Sequence, residues 1–579
     1  MYRALFLLLL SLLATSAWSA NLSYSISGVS GKLKRNVEAW LGEPPTTEAE
    51  RNNFVFLAES RVDKALQALG YYRPVVSIAV DRGNAKWSMT VDIQQGPPVR
   101  ITSLDIQIEG DASDDAAFEK LKQDPGIKIG DILNHGHYET LRTNLLNLAQ
   151  RRGYFDAELA KSSVEVDVGE DLAAVVLVLD SGSRYNFGQL QFDSDLINQR
   201  TLDELATFRQ GDPYLQSQLR DFQAQLQATG YFAAVLVEPV PTRAEDGEVP
   251  VEISLQAAPR QSFDVGIGYS TDTEGRASVT WRTPRINRFG HSQQTRLVYS
   301  QVNPSGRITY NIPLTHPIND ILQLWARSEE NEFGDIDSQQ DELGLRRELR
   351  RNSWVYGYGM RDLKESWDLV NVNRTNNYLL PGVTLSNRFY KGSLVDPTSG
   401  FNQLYTLEGA NSSLGSDVDL LRATVSWRYI VTPWHRHRLV GRTDLGFADI
   451  SEDDRQELAP SLNFFAGGNQ SIRGFGYQSI GNRIDVIEPD GEERTLVVGG
   501  DRLLVLSGEY QYYFTKVWRG ALFVDAGDAF DAGEFDWNVG TGFGIHYISP
   551  VGAIRLELAR DVSENDPDWR LHFNIGAEF

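Results

Sequence analysis

Residues 261–579 alternate apolar and polar side chains in segments of about ten residues, which is the length of a tilted membrane strand. In one such segment Leu571, Phe573 and Ile575 alternate with arginine, histidine and asparagine. The region holds 9 of the 12 Trp and 14 of the 23 Tyr, as an aromatic girdle requires. At roughly 20 residues per strand and loop, the pattern predicts a transmembrane β-barrel of about 16 strands. A large soluble β-sandwich is the alternative, although its strands are usually shorter.

Residues 21–260 carry one signature three times, an amphipathic stretch that ends in glycine and two aromatic residues. The glycines are Gly70, Gly153 and Gly230, and alternating, strand-like segments follow each of them. The nearly equal spacing predicts three repeats of β-α-α-β-β order, each about 80 residues long. A left-handed turn after a helix favours glycine, so we predict that the three glycines are helix caps.

The chain begins with the pattern of a secretory signal peptide. Arg3 precedes an apolar run over 4–14, and the small residues Ala17, Ser19 and Ala20 follow. We expect cleavage after Ser19 or Ala20. A membrane anchor is the alternative, but the run is too short to span comfortably.

These patterns predict the domain organisation. The fold class is three α+β repeats followed by an all-β transmembrane barrel. The predicted bounds are 1–20 for the signal peptide, 21–98, 99–184 and 185–260 for the repeats, and 261–579 for the barrel.

Composition and charge exclude several classes of protein. The chain has no Cys, which excludes disulfide scaffolds, Cys-ligated metals and thiol catalysis. Its formal net charge of −23 argues against a nucleic-acid-binding protein. The mean hydropathy of −0.34 excludes a polytopic helical membrane protein.

Candidate enzyme and metal motifs are weak. His135 and His137 form one pair, and His435 and His437 another, but neither has an obvious third ligand for a metal. Three alternate glycines within 540–544 superficially resemble a phosphate loop. They lie in an alternating strand without a following helix, which indicates close backbone packing. We therefore expect no catalytic residues, no cofactor, no metal and no enzymatic activity.

The barrel region also contains two local sequence motifs. Residues 467–475 read Gly-Gly-Asn-Gln-Ser-Ile-Arg-Gly-Phe, and residues 396–401 read Asp-Pro-Thr-Ser-Gly-Phe. A plain turn is the alternative for the second motif. With the repeats and the barrel, these motifs resemble the bacterial outer-membrane assembly superfamily, whose members carry periplasmic POTRA domains and a C-terminal 16-stranded barrel. Within it the chain resembles the TamA family of translocation and assembly module subunits, since three repeats are predicted rather than the five of BamA.

The resemblance implies a loop that folds into the barrel and is clamped there by carboxylates on the following strands. The loop tip consists of Ile472, Arg473, Gly474 and Phe475. Glu509 and Asp525 match the carboxylates, and both lie on the polar phase of their strands, which faces the lumen. A guanidinium group can clamp two carboxylates. An ordinary surface arginine in a glycine-rich turn is the alternative.

A closed barrel must pair its first strand with its last. Glycines weaken the first strand, and chain ends fray, so this seam is the predicted lateral gate. The predicted gate residues are Gly266, Gly268, Ile575 and Phe579. The resemblance also makes Phe579 a terminal aromatic recognised by the assembly machinery.

The resemblance implies a non-enzymatic assembly factor of the bacterial outer membrane, with its POTRA domains in the periplasm. It would insert or translocate β-rich proteins such as autotransporters, with strand addition at the repeat edges. The implied partners are unfolded outer-membrane clients, the lipid bilayer and a TamB-like, inner-membrane-anchored periplasmic protein near the first repeat. The alternatives are a solute-conducting or partner-secreting channel, and phospholipid transport with the same partner.

Overall fold

The computed structural model describes most of the chain. The described residues are 22–45, 47–83, 86–369, 372–393, 395–451, 454–487, 493–550, 552–563 and 568–576. The predicted signal peptide and Phe579 lie outside these ranges. Two compact units are present: one contains the first two repeats and parts of the third, and the other contains the barrel and the remainder of the third.

Each repeat has the predicted β-α-α-β-β order. The first contains β1 (Leu22–Ser27), α1 (Gly31–Leu41), α2 (Glu48–Gln67), β2 (Val75–Arg82) and β3 (Trp87–Gln94). The second contains β4 (Arg100–Glu109), α3 (Ala116–Gln123), α4 (His135–Arg151), β5 (Glu158–Asp167) and β6 (Leu172–Asp180). The third contains β7 (Asn186–Phe192), α5 (Gln199–Asp203), α6 (Gln216–Ala228), β8 (Phe232–Pro239) and β9 (Glu248–Ala257). No helix in the described ranges has both the length and the apolar content that a membrane span requires.

The last strand of each repeat is the centre of its sheet. The sheet orders are β1-β3-β2, β4-β6-β5 and β7-β9-β8. In the first two repeats the central strand runs parallel to the first strand and antiparallel to the second. Alternation explains the burial: in β6 Val175, Leu177 and Leu179 are fully buried, whereas Asp180 is exposed. The outer strands of each sheet are edges, where an extended peptide can add.

The three signature glycines all have left-handed backbone angles, with φ of 90° at Gly70, 88° at Gly153 and 72° at Gly230. After α2, Gly70 N–H donates to Gln67 O and Tyr71 N–H to Leu66 O, which is the Schellman pattern. The same pattern follows α4. After α6 the N–H of Tyr231 instead donates to the Thr229 hydroxyl, at 3.2 Å.

Sixteen strands form a closed barrel in which neighbouring strands are antiparallel. The first eight are β10 (Ser262–Ser270), β11 (Glu274–Thr283), β12 (Ser292–Ser300), β13 (Ser305–His316), β14 (Asp320–Phe333), β15 (Ile336–Arg351), β16 (Trp354–Leu369) and β17 (Val372–Gly392). The remainder are β18 (Pro397–Ala410), β19 (Leu420–Trp434), β20 (His437–Ile450), β23 (Arg502–Tyr513), β24 (Trp518–Phe530), β25 (Asn538–Ser549), β26 (Gly552–Asp561) and β27 (Trp569–Gly576). A hairpin of β21 (Arg483–Ile487) and β22 (Glu493–Val497) lies between β20 and β23.

Side chains alternate between the two faces of the barrel wall. Apolar residues such as Ile267, Tyr299 and Leu343 are exposed on the outer face, which suits contact with lipid. Charged residues such as Asp525 and Glu557 are buried on the inner face. The alternation in the sequence therefore predicts the inside and outside of the barrel correctly, together with the strand number.

Candidate functional site in the barrel lumen

The segment between β20 and β23, described over 454–487 and 493–501, packs against the inner face of the barrel, and we call it the inner loop. Its apolar residues Leu462 and Ile472 share one buried cluster with Trp367 and Tyr378 of the wall. The tip approaches the wall closely at Gly540, where a Cβ atom would lie 1.7 Å from Arg473 O. The glycines of strand β25 therefore provide close backbone packing, as the sequence predicts.

Arg473 is 4% exposed and is held by three carboxylates. Its Nε and Nη2 donate to the two oxygens of Asp525, at 2.7 and 3.0 Å. Its Nη1 donates to Glu509 at 2.7 Å and to Glu557 at 3.1 Å. The guanidinium carbon also lies 3.4 Å from the centroid of the Phe523 ring. The structure thus brings together the arginine and both carboxylates predicted for the clamp.

The rest of the predicted loop tip surrounds this arginine. Ile472 is fully buried, and Phe475 is partly buried against the same apolar cluster. Gly474 has φ of 100°. A Cβ atom there would lie 3.0 Å from the backbone of Arg560. Glycine at this position therefore permits both the left-handed turn and the close approach to β26.

Sequence reasoning missed Glu557 and a chain of polar groups that leads away from it. His546 Nε2 lies 2.9 Å from Glu557, and Arg519 Nε donates to His546 Nδ1 at 3.2 Å. Arg519 Nη1 in turn donates to Asp396 at 2.9 Å. The chain joins the turn before β18 to the inner loop, so the Asp-Pro motif has a role beyond a turn. The sequence feature that could have identified Glu557 is its place among the inward-facing, polar positions of β26.

Glu509, His546 and Glu557 also have the mutual distances of a metal site, since their ligand atoms lie within 4.8 Å of one another. Arg473 hydrogen-bonds with two of these three groups, so the guanidinium is the cation that they hold in this structure. The two histidine pairs considered from the sequence do not join this set. His135 contacts the Tyr72 hydroxyl, and His437 contacts that of Tyr510.

The seam between β10 and β27 has little pairing. Among the described residues it contains one Cα pair, Ser270 with Asn574, whereas β10 pairs with β11 at nine positions and β26 with β27 at eight. Of the predicted gate residues, Gly266 and Gly268 lie on β10 and Ile575 on β27. The residues that face each other across the described seam are Ser270 and Asn574.

The inner loop also spans this seam from inside. The Asn469 side-chain amide donates to Ser270 Oγ at 3.0 Å, and it lies 3.5 Å from Phe573 O on the other strand. Two residues beyond Ile472, the N–H of Gly474 donates to His572 Nε2 on β27, at 3.0 Å. One loop therefore contacts the first strand, the last strand and the buried carboxylates.

Comparisons with known proteins agree with this architecture. Residues 261–579 match the Omp85 superfamily domain, 23–95 match POTRA domain TamA domain 1, and 102–182 match the POTRA family described as surface antigen variable number repeat. A relative, outer membrane protein assembly factor BamA from Nitratidesulfovibrio vulgaris, is 23% identical over 84% of this chain. The alignment covers 63% of that protein, so this chain matches less than two thirds of its length.

A solved structure has the same fold. BamA from Haemophilus ducreyi lacking POTRA domains 1–3 superposes with a TM-score of 0.71 at 14% identity, over 82% of this chain and 99% of that chain. The match over 261–579 covers more than half of the sequence. The chain therefore belongs to the Omp85 superfamily and is an outer-membrane β-barrel protein with periplasmic POTRA domains.

Proposed function

We propose that this protein is a non-enzymatic assembly factor that inserts or translocates β-rich outer-membrane proteins, autotransporters among them, through the seam of its barrel. The observation that carries the proposal is the single described Cα pair between β10 and β27. The described part of the seam adds to this pair one backbone hydrogen bond, from Thr271 N–H to Phe573 O. It therefore has fewer backbone hydrogen bonds to break than the β10–β11 or β26–β27 pairs, and opens at a lower cost than they do. Unpaired backbone groups in hydrocarbon are costly, so an open seam attracts an incoming β-strand.

The inner loop gives this mechanism a control point. Asn469 contacts both seam strands, and Gly474 contacts His572 of β27. Separation of the two strands therefore requires that the loop break its contacts with one of them. Because Arg473 anchors the same loop on three carboxylates, we propose that the clamp keeps the loop folded while its edge at the seam is released.

The match of residues 23–95 to a TamA-type POTRA domain supports a TamA-like role rather than a BamA-like one. We propose that the partner is a TamB-like periplasmic protein that binds near the first repeat. Its sheet has β1 and β2 at the edges, and Val75 on β2 is exposed. A partner strand can add at such an edge.

The test is a disulfide across the seam. Cysteines at Ser270 and Asn574 replace directly opposed residues, at a Cα separation of about 4.5–5.5 Å that suits a disulfide. The variant is reconstituted in liposomes, and the folding of an autotransporter barrel is followed by protease protection. We expect folding to stop when the disulfide forms and to return on reduction.

A disulfide between Ser278 of β11 and Val298 of β12 is the matched control, because these positions are paired in the continuous wall. It should leave assembly unchanged. Full assembly activity of the oxidised 270–574 variant, with crosslinking complete, would show that the seam need not open.

A further inference from the structure

A row of arginines crosses the inner face of the barrel on β12, β13 and β14, on the N-terminal part of the wall. Arg296 lies directly opposite Arg307, and Arg307 lies directly opposite Arg327. Each arginine alternates with lipid-facing neighbours: Leu297, for example, is 57% exposed on the outer face. Like charges placed directly opposite each other on neighbouring strands destabilise a sheet.

The carboxylates near this row already form ion pairs or hydrogen bonds with arginines. Glu329 pairs with Arg327 at 3.0 Å, and Glu348 pairs with Arg346 of β15 at 2.6 Å. Glu342 accepts from Arg361 at 2.9 Å. Among the described residues, neither Arg296 nor Arg307 has an ion-pair or hydrogen-bond partner. Glu342 attracts Arg307 electrostatically without a hydrogen bond. Both guanidinium groups therefore have N–H donors that no described residue uses.

An aromatic ring, two buried guanidinium nitrogens and a cavity lie beside the row, as a binding site for an anion would require. The Trp325 ring lies between two arginines, 5.3 Å from the guanidinium carbon of Arg307 and 5.8 Å from that of Arg346. The Nε atoms of Arg327 and Arg346 are buried without a described acceptor. Of the row, Arg307 lines a cavity of about 220 Å³, together with Trp325, Arg346 and Arg361. The carboxylates Glu342 and Glu408 also line it, and both are paired with Arg361. Since a water molecule takes about 30 Å³, the cavity has room for a tetrahedral anion and several waters.

We propose that this arginine row binds a phosphate group in the lumen, supplied either by the headgroup of an anionic lipid or by free phosphate. The guanidinium fork matches phosphate oxygens in bidentate geometry, and its charge is permanent. Adjacent strands are about 4.8 Å apart, so a single phosphate can bridge two guanidinium groups of the row. A bound phosphate removes the repulsion between the facing arginines. This role is independent of the assembly function proposed above.

The test uses the full-length protein in detergent micelles, with inorganic phosphate and dihexanoyl phosphatidic acid as probes. The readouts are binding by equilibrium dialysis and the thermal unfolding midpoint of the barrel. In the wild type we expect saturable binding and a higher midpoint with either probe. In Arg296→Gln/Arg307→Gln we expect affinity to fall by at least about tenfold. Without phosphate, this variant should unfold no earlier than the wild type, because the facing charges are gone.

Two further variants separate charge from geometry. Arg307→Lys keeps the charge but loses the fork, so we expect a smaller loss of affinity than in the double variant. Arg282→Gln is the matched control: Arg282 also faces the lumen, on β11, but is paired with Asp264. Its phosphate affinity should equal that of the wild type.

Three results would overturn the proposal: equal binding by the wild type and the double variant, an equal rise of the midpoint with chloride at the same ionic strength, or tighter binding of a hexaglutamate peptide than of either phosphate probe. The two probes distinguish the sources. Phosphatidic acid that binds more tightly than inorganic phosphate supports a lipid headgroup, and equal affinity supports free phosphate.

Discussion

Arg473→Ala is the substitution with the largest expected effect on the barrel. It removes the cation from three carboxylates, of which Asp525 is fully buried, Glu557 is 6% exposed and Glu509 is partly buried. It also removes the bidentate contact with Asp525 and the contact with the Phe523 ring. The carboxylates then repel one another, and the partly buried Arg442, which attracts Asp525 and Glu509 but hydrogen-bonds to neither of them in the described contacts, compensates them only in part.

The expected cost follows from this burial. Removal of one member of a buried ion pair typically costs about 3–5 kcal/mol, which is at least about a hundredfold in the unfolding equilibrium constant. Water in the lumen lowers this figure. By comparison, Arg282 and Asp264 form a half-exposed pair on the same inner face, for which about 0–1 kcal/mol is expected.

The effect of Glu557→Gln on the stability of the barrel should also change sign when Arg473 is absent. Glu557→Gln alone should destabilise the barrel, because Arg473 and His546 lose a charged partner. In the Arg473→Ala background the same change should stabilise it, because one of the three carboxylates that repel one another loses its charge. The expected coupling is about 1–3 kcal/mol.

The assay is urea unfolding of the barrel, followed by the mobility of the folded form in electrophoresis without heating. Arg282→Ala serves as the control for loss of a lumen arginine. The reasoning is refuted if Arg473→Ala unfolds at the same urea concentration as the wild type, or if Glu557→Gln destabilises both backgrounds equally.

Three further predictions concern other parts of the chain. Gly230→Ala should lower the free energy of unfolding by about 1 kcal/mol, because residue 230 has a left-handed φ. Gly70→Ala should lower it more, because the added Cβ would also lie 2.3 Å from Leu133 O. Calorimetry of the periplasmic repeats measures both effects. Asp396→Ala should destabilise the barrel in urea by about 1–3 kcal/mol, and Asp396→Asn by less, because buried Arg519 loses a carboxylate. Burial raises the pKa of Asp115, but the Ala117 N–H and Arg152 outweigh it and hold that pKa below its usual value. The resulting stability is present above about pH 4 and is lost as the pH falls further, a loss that calorimetry should no longer detect in Asp115→Asn.

Local periodicity was sufficient to predict the architecture. Three glycine-aromatic signatures gave the three repeats, and the alternation beyond residue 261 gave the 16 strands and the face on which each side chain lies. Both features depend on neighbours in the chain: a helix cap needs a glycine at one position, and a strand of a barrel needs a period of two. The inward phase of Glu509 and Asp525 followed from the same rule.

Tertiary structure decided which inward-facing groups meet. Glu557, His546 and Asp396 join the clamp from three separate strands and turns, and nothing in the local pattern of each distinguishes it from other inward polar residues. The register of the seam was decided in the same way, because Ser270 and Asn574 lie at opposite ends of the barrel sequence. The sequence by itself determined the faces of each strand, since these depend on local geometry. The partners across the lumen depend on barrel closure and on the path of the inner loop, which are properties of the whole chain.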